Sequence, residues 1–334
     1  MKILVTGGAG FIGTNFIHYI LQTHVDWELT NLDKVTYAGN LENLQSIEEH
    51  PRYNFQKGDI ADREVVDKLL GQKFDVIVNL AAESHVDRSI QDAAPFIDTN
   101  IRGTQVLLEA VRRNGCGKFI QVSTDEVYGS IENGSFTENS PLNPSSPYSA
   151  SKASADLLCL AYYRTHQIPV VITRCTNNYG PYQFPEKLIP LVITNALEDK
   201  WIPVYGDGLN ARDWINVLDH CRALDTVVKS GNSGEIYNIA GNNEKTNLGV
   251  VQAILRYLKK PESLICFVSD RPGHDRRYAI DNTKIEQDLG WKPASVFNDT
   301  LASTIEWYMN NKPWWSRVKS GDYIQYYEKM YHNR

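Results

Sequence analysis

Two adjacent carboxylates and a tyrosine–lysine pair are the side chains in this sequence best suited to proton transfer. Asp125 and Glu126 follow Thr124 in the stretch Ser123-Thr124-Asp125-Glu126-Val127-Tyr128-Gly129. Neighbouring carboxyls couple electrostatically, so one can stay protonated near neutrality while the other ionises. Their apparent pKa values then belong to the pair. One member can abstract a proton alpha to a ketone while the other protonates a departing hydroxyl, and the sum is an elimination of water. A solvated acidic turn is the competing reading. Tyr148 and Lys152 stand four apart in Ser146-Pro147-Tyr148-Ser149-Ala150-Ser151-Lys152. Ser146 reads as a helix N-cap and Pro147 as the first helical residue, which puts both side chains on one helix face. A free phenol, with a pKa of about 10, is a poor base near neutrality. A nearby ammonium favours the phenolate and pulls that value down. The spacing alone also fits a surface pair.

A glycine-rich turn, Thr6-Gly7-Gly8-Ala9-Gly10-Phe11-Ile12-Gly13, stands between a β-branched run and a helical pattern. In that position backbone N–H groups can approach a pyrophosphate at the helix N-terminus, and the last glycine lets the helix lie close to the sheet. The spacing is G-x-x-G-x-x-G, over Gly7, Gly10 and Gly13. Asp33 lies at the end of the second strand, where an acid takes the ribose hydroxyls. An acid there repels a 2′-phosphate, so NAD is expected rather than NADP, although Lys34 next door works the other way. A turn-capping acid is the alternative for Asp33. The positive ring of NAD would add to Lys152 in favouring a Tyr148 phenolate.

These groups need a scaffold, and the apolar pattern supplies one. Lys2–Thr6, Glu28–Leu32, Asp75–Leu80, Lys118–Ser123 and Pro169–Arg174 read as buried parallel strands. Helical stretches alternate with them, one through Phe16, Ile17, Ile20 and Leu21, another from near Pro95 to Asn114. The expected fold is α/β, a doubly wound parallel sheet of Rossmann type. Asp125-Glu126 and the stretch Leu80 to Ser89 then fall at carboxyl ends of strands, where open α/β sheets bind ligands. After residue 175 the pattern loosens, with Gly, Pro and Asn clustering at 177–186, 206–210, 231–234 and 241–243. Helices are expected near 186–198, 217–229, 247–259 and 298–310. The division predicted is a cofactor domain over 1–175 and a smaller, interleaved α/β lobe over 176–334, some segments of which return to the first domain.

The 334 residues carry a net charge of −6, with 42% hydrophobic and 22% charged residues, a composition ordinary for a globular protein. A mildly acidic chain lacks the basic footprint of a nucleic-acid binder, and no apolar run is long enough for a membrane span. KILVTGGAG directly follows Met1, without a signal-peptide pattern, so a cytoplasmic location is expected. The five scattered cysteines form no CxxC, and no His, Cys or acid set has metal spacing. Neither a disulfide framework nor a metal is expected.

TGGAGFIG, Asp33, YSASK and Asn177-Asn178-Tyr179-Gly180-Pro181 together resemble the extended short-chain dehydrogenase/reductase family. Asp125-Glu126 with AAESHVDRS (81–89) resemble its nucleotide-sugar 4,6-dehydratases, whereas 4-epimerases usually carry small residues where the two acids stand. The resemblance spans nearly the whole chain. It implies a lyase acting on dTDP-glucose with a tightly bound NAD that ends each cycle as it began. Tyr148 would take the proton of the sugar 4-hydroxyl, with Thr124 bonded to that oxygen and Lys152 beside it. Glu126 would take the C5 proton and Asp125 protonate the leaving 6-hydroxyl. The resemblance also places Gly7, Gly10, Phe11, Ile12, Gly13, Asp33, Lys34, Thr36, Asp59, Ile60, Leu80, Ala81, Ala82, Thr99 and Asn178 at the cofactor. For the nucleotide sugar it implies Ser84, His85, Asn177, Lys187, Leu188, Pro203, Tyr205, Arg212, Asn247, Asp270, Arg271 and His274. Of these, Lys187, Arg212 and Arg271, with His274, are candidate donors to the diphosphate, and Tyr205 could stack on the base. A homodimer is implied, built as a four-helix bundle from the helix ending near Asn114 and the helix bearing Tyr148.

Three alternatives stay open on the residues alone: a dehydratase of a UDP-, CDP- or GDP-linked hexose, a 4-epimerase, and a non-catalytic NAD-binding sensor. Asp125-Glu126 argue against the epimerase. A sensor has no reason to keep Tyr148, Lys152, Asp125 and Glu126 together.

Overall fold

A computed structural model describes residues 1–319. In chain order the first half comprises β1 (Lys2–Thr6), α1 (Phe11–Thr23), β2 (Glu28–Asp33), β3 (Tyr53–Lys57), α2 (Arg63–Leu70), β4 (Val76–Asn79), α3 (Val86–Gln91), the one-turn α4 (Ala94–Phe96), α5 (Thr104–Asn114), β5 (Lys118–Thr124) and α6 (Pro147–His166). The second half adds β6 (Val170–Cys175), β7 (Asn177–Tyr179), α7 (Leu188–Leu197), β8 (Ile202–Tyr205), β9 (Ala211–Asn216), α8 (Val217–Ser230), β10 (Ile236–Ile239), β11 (Glu244–Thr246), α9 (Asn247–Leu258), β12 (Ile265–Val268), α10 (Thr283–Leu289), α11 (Phe297–Asn310) and α12 (Lys312–Val318).

Seven strands form one sheet in the order β10-β6-β5-β4-β1-β2-β3. Every pairing in it is parallel. Both faces are covered, which is why strands such as ILV in β1 and VIVN in β4 are apolar without alternation. One face packs Phe16, Ile17 and Ile20 of α1 against Cys221, Leu224 and Val227 of α8. The other packs Val66 and Leu69 of α2 with Leu107 and Val111 of α5 and Cys159 of α6. A third core joins α7, α9, α11 and α12 around Val192, Val251, Ile305 and Trp315. Strands β11-β9-β7 and β12-β8 form two small sheets beside it.

The single helix expected from Pro95 to Asn114 is instead three pieces. Between α4 and α5 the chain makes π-helical turns over Ile97–Gly103. Tertiary contacts hold this widening. The Asn100 side chain accepts from the Glu83 amide and donates to the Ser151 hydroxyl, and a Cβ on Gly103 would come within 2.6 Å of Ile60. Such widened turns cluster at functional sites, and here the segment delivers Thr99 to the principal cavity. Strand β10 belongs to the large sheet although it lies 60 residues beyond β6 in the chain, so segments of the C-terminal half complete the N-terminal architecture.

Candidate active site

The principal cavity runs along the carboxyl ends of β1, β2, β4, β5 and β6, the position that parallel α/β sheets reserve for ligands. Two elements aim the proton-transfer groups into it. At the end of β5, Thr124 caps a 3-10 turn by accepting from the Glu126 amide, which sets Asp125 and Glu126 in the first turn. At the start of α6, Ser146 and Ser149 form a reciprocal capping box with Pro147 at the first position. Capping fixes the helix entry, and Tyr148 and Lys152 then face β5 from one side of the helix.

Burial and charge split the two carboxyls. Asp125 is 2% exposed, and burial together with the Glu126 charge holds its pKa well above the ordinary value. Its Oδ1 accepts from the Thr124 hydroxyl at 3.2 Å, whereas its buried Oδ2 has no partner among the described residues. Glu126 is also raised by burial, but Arg271, Arg212 and Lys187 pull it back down. Burial and its neighbour's charge thus push Asp125 the further toward holding a proton, while nearby cations draw Glu126 toward ionisation.

Tyr148 departs from the expectation drawn from spacing. Burial and the charges of Glu126 and Cys175 hold its phenol well above the ordinary value, with the Thr124 hydroxyl bond pulling the other way. Lys152 does not offset this, because its Nζ donates to the Val122 carbonyl at 2.7 Å. The helix brings the two side chains to one face, but β5 supplies the ammonium's nearest acceptor.

The glycine turn fits a dinucleotide. Gly7 has φ +72°, and a Cβ on it would lie 2.6 Å from the Ala81 nitrogen, so only glycine lets this loop rest on the end of β4. Helix α1 has no side-chain cap, and Gly10, Phe11, Ile12 and Gly13 line the cavity. First-turn amides have no intrahelical partner and suit an anion. Asp33 accepts from the Ala9 amide at 2.8 Å and the Val35 amide at 2.7 Å, one bond per oxygen. Each oxygen keeps a lone pair for a hydroxyl donor. Lys34 pairs with Asp59 at 2.6 Å, so its charge is drawn away from Asp33.

Thr36, Asp59, Ile60, Leu80, Ala81, Ala82, Ser84, Thr99, Asn177, Asn178 and Lys187 also line this cavity. His85, Leu188, Pro203, Tyr205, Arg212, Asn247, Asp270, Arg271 and His274 do not. Several of them are held in other contacts: His274 Nδ1 lies 2.6 Å from Asp270 Oδ1, and the Tyr205 ring meets the His274 ring edge-on. The Tyr205 hydroxyl donates to Asp87 Oδ2 at 3.0 Å, and Arg271 lies 3.9 Å from Asp87 Oδ1. Arg212 lies over the Tyr278 ring and donates to the Asp275 carbonyl at 2.8 Å. Leu188 and Asn247 open α7 and α9, and Pro203 is in β8. His274, which the resemblance offers as a donor to the diphosphate, is neutral near pH 7 and can donate only from a ring N–H. Burial and Arg271 lower its pKa to about 4. His85 is likewise held neutral by burial and by Lys187, Arg88 and Arg271.

Sequence reasoning missed Glu83, Cys175, Thr176, Gln183, Phe184 and Glu186, which also line the cavity. Glu83 lies inside the quoted strand-end motif, and 183–186 inside a Gly/Pro/Asn-rich stretch. Both carried a signal for a loop, but none for its destination. Among the described residues no cluster of His, Cys, Asp and Glu could hold a metal, and no helix is long and apolar enough to cross a membrane.

Asp125→Asn is expected to stabilise the protein near neutrality, by about 1.4 kcal/mol for each pH unit over which the folded carboxyl keeps a proton that the unfolded one has lost. The unfolded carboxyl loses its proton above about 3.8 while the folded one keeps it. Stability is thus present at low pH and falls as pH rises through that window. Thermal unfolding at pH 5 and pH 7 tests this, and a gain no larger at pH 7 would mean that Asp125 is ionised in the fold.

The architecture and the paired acid–base groups define a class: the chain belongs to the extended short-chain dehydrogenase/reductases, and a family model described as GDP-mannose 4,6 dehydratase matches residues 4–304. Within that class it is similar to the dTDP-glucose 4,6-dehydratase of Streptomyces niveus, 51% identical over 96% of this chain and 97% of the relative. The enzyme of that name from Neisseria meningitidis is 52% identical, over 96% and 97%. The structure of DesIV, a dTDP-glucose 4,6-dehydratase from Streptomyces venezuelae with NAD bound, matches with TM-score 0.93 and 50% identity, over 96% of this chain and all of that one. A UDP-glucuronic acid 4-epimerase from Bacillus cereus, in complex with UDP-glucuronic acid and NAD, is more distant, with TM-score 0.88 and 31% identity over 93% and 99%.

Proposed function

We propose that this protein converts dTDP-glucose to dTDP-4-keto-6-deoxyglucose and water. The observation that carries the reading is the split Asp125–Glu126 pair at the end of β5, facing Tyr148. Bound NAD would supply the reversible hydride chemistry, C4 to cofactor to C6, and the proton taken from C5 would be returned to C5 as the hydride reaches C6. With the positive nicotinamide ring beside it favouring the phenolate against the upward push of burial and Glu126, Tyr148 accepts the 4-hydroxyl proton while Thr124 holds that oxygen. Glu126, raised by burial but drawn toward ionisation by Arg271, Arg212 and Lys187, removes the C5 proton that a 4-ketone acidifies. Asp125, which keeps its proton, protonates the departing 6-hydroxyl. Lys152, held by the Val122 carbonyl, positions the cofactor side of the site. The full-length similarity to dTDP-glucose 4,6-dehydratases supports this reading over the epimerase and the sensor.

Residues 1–175 form the cofactor part and 176–334 mainly the nucleotide-sugar part, of which 320–334 lie outside the described residues. The cluster of Arg212, Arg271, Tyr205 and Asp87 beside the cavity supplies the forked cationic donors that a diphosphate needs.

The test is dTDP-glucose carrying deuterium at C4. The expected product has lost one water and carries the label at C6. Unchanged mass with a galactose-type product would make the protein an epimerase, and absence of turnover with any nucleotide hexose would make it a sensor.

A homodimer is part of this reading. Leu157 on α6 and Ile97 in the π-helical turns, 57% and 52% exposed, offer apolar contacts on adjacent helices. Sedimentation at the mass of a single chain, 37.9 kDa, would sink it.

A further inference from the structure

We propose that Tyr37, Arg88 and Glu186 are positioning residues that stitch two walls of the cavity together and so slow the escape of the dinucleotide. The inference rests on the reading of this cavity as an NAD site. The Tyr37 hydroxyl donates to Glu186 Oε1 at 3.2 Å, and Arg88 Nε donates to Oε2 at 3.2 Å. The Arg88 guanidinium also lies 3.9 Å from the centre of the Tyr37 ring, and Phe184 meets that ring edge-on at 5.6 Å.

The two hydrogen bonds join chain segments 149 and 98 positions apart. Thr36 and Ala38, on either side of Tyr37, line the cavity, as do Phe184 and Glu186. The Glu186 side chain is 2% exposed. A carboxylate so buried is tolerated only when paired, and here each oxygen is taken by a separate donor. Both donors come from elements on the other side of the seam, the turn after β2 and helix α3. Glu186 is thereby occupied as a structural acceptor rather than poised for proton transfer. The next residue, Lys187, extends the seam by donating from Nζ to the Ser84 carbonyl at 2.8 Å.

The chemistry gives such a seam a purpose. A cofactor that is restored only at the end of each cycle must not leave part-way, and substrate contacts cannot guard it between cycles. Hydrogen bonds between protein groups alone, both of them to a carboxylate, persist whether or not the sugar is present. Opening this wall requires all of them to break together.

The experiment uses the full chain loaded with NADH and chased with excess NAD while nicotinamide fluorescence is followed. Tyr37→Phe keeps the ring under Arg88 and removes only the hydroxyl. It is expected to speed release about ten-fold, equivalent to about 1.4 kcal/mol. Glu186→Gln, which weakens both bonds, is expected to speed it further. Tyr37→Phe by itself decides the matter if the Gln variant fails to fold. A lowered unfolding temperature with an unchanged release rate would show a merely structural cluster and overturn the stitch. Wild-type protein that takes up no dinucleotide would instead overturn the reading of the cavity itself.

Discussion

Glu126→Gln is expected to slow formation of the keto-deoxy sugar about 10²–10⁴-fold, the range of a lost general base, while leaving oxidation at C4 intact. Gln keeps the shape of Glu126 but cannot take the C5 proton. The charge it removes is one that holds the Tyr148 phenol up, so proton removal from the 4-hydroxyl becomes easier rather than harder. A 4-keto nucleotide that still carries its 6-hydroxyl should therefore appear, at no more than one per active site. Quenched single-turnover samples, read by mass spectrometry, distinguish it from the dehydrated product. Exchange of the C5 hydrogen with heavy water should stop in the same variant. If no 4-keto sugar forms, Glu126 takes part in the first step and the division of roles is wrong.

Tyr148→Phe is expected to abolish both stages, with turnover down by about 10³-fold. Neither the 4-keto nucleotide nor the dehydrated product should accumulate. The phenol has no substitute in its surroundings. Lys152 is bound to the Val122 carbonyl, and Glu126 serves the neighbouring carbon. Affinity for the nucleotide sugar should change little, because the donors proposed for its diphosphate, Arg212 and Arg271, lie far along the chain from Tyr148. A Phe variant that still makes the 4-ketone at a comparable rate would move the first base elsewhere. Together the two variants separate the steps: one stops after oxidation, the other before it.

Much of this site is legible in the chain because it is locally encoded. The cap Ser146, the helix-starting Pro147 and the four-residue spacing put Tyr148 and Lys152 on one face without reference to anything distant. The glycine turn needs only its own backbone freedom and the strand before it. Asp125 and Glu126 follow a β-branched run, so their place at a strand end follows from the run itself. Boundaries drift where tertiary contacts override local pattern. The helix expected from Pro95 opens into π-helical turns because Asn100 and Gly103 answer to Glu83, Ser151 and Ile60.

The sequence by itself determined the sheet, the glycine turn at the end of β1 and the place of Asp125-Glu126 and the Tyr148–Lys152 pair, since each is written in residues a few positions apart. Tertiary structure alone sets how far burial and charge separate the two carboxyls, for that depends on Arg212 and Arg271, which reach Glu126 from the far part of the chain. It also decided that Lys152 turns to Val122, that His274 is neutral, and that Tyr37 and Glu186 meet across 149 positions. Charge and burial act through space, at a few ångströms, and spacing along a chain carries no record of which distant segments will come that close.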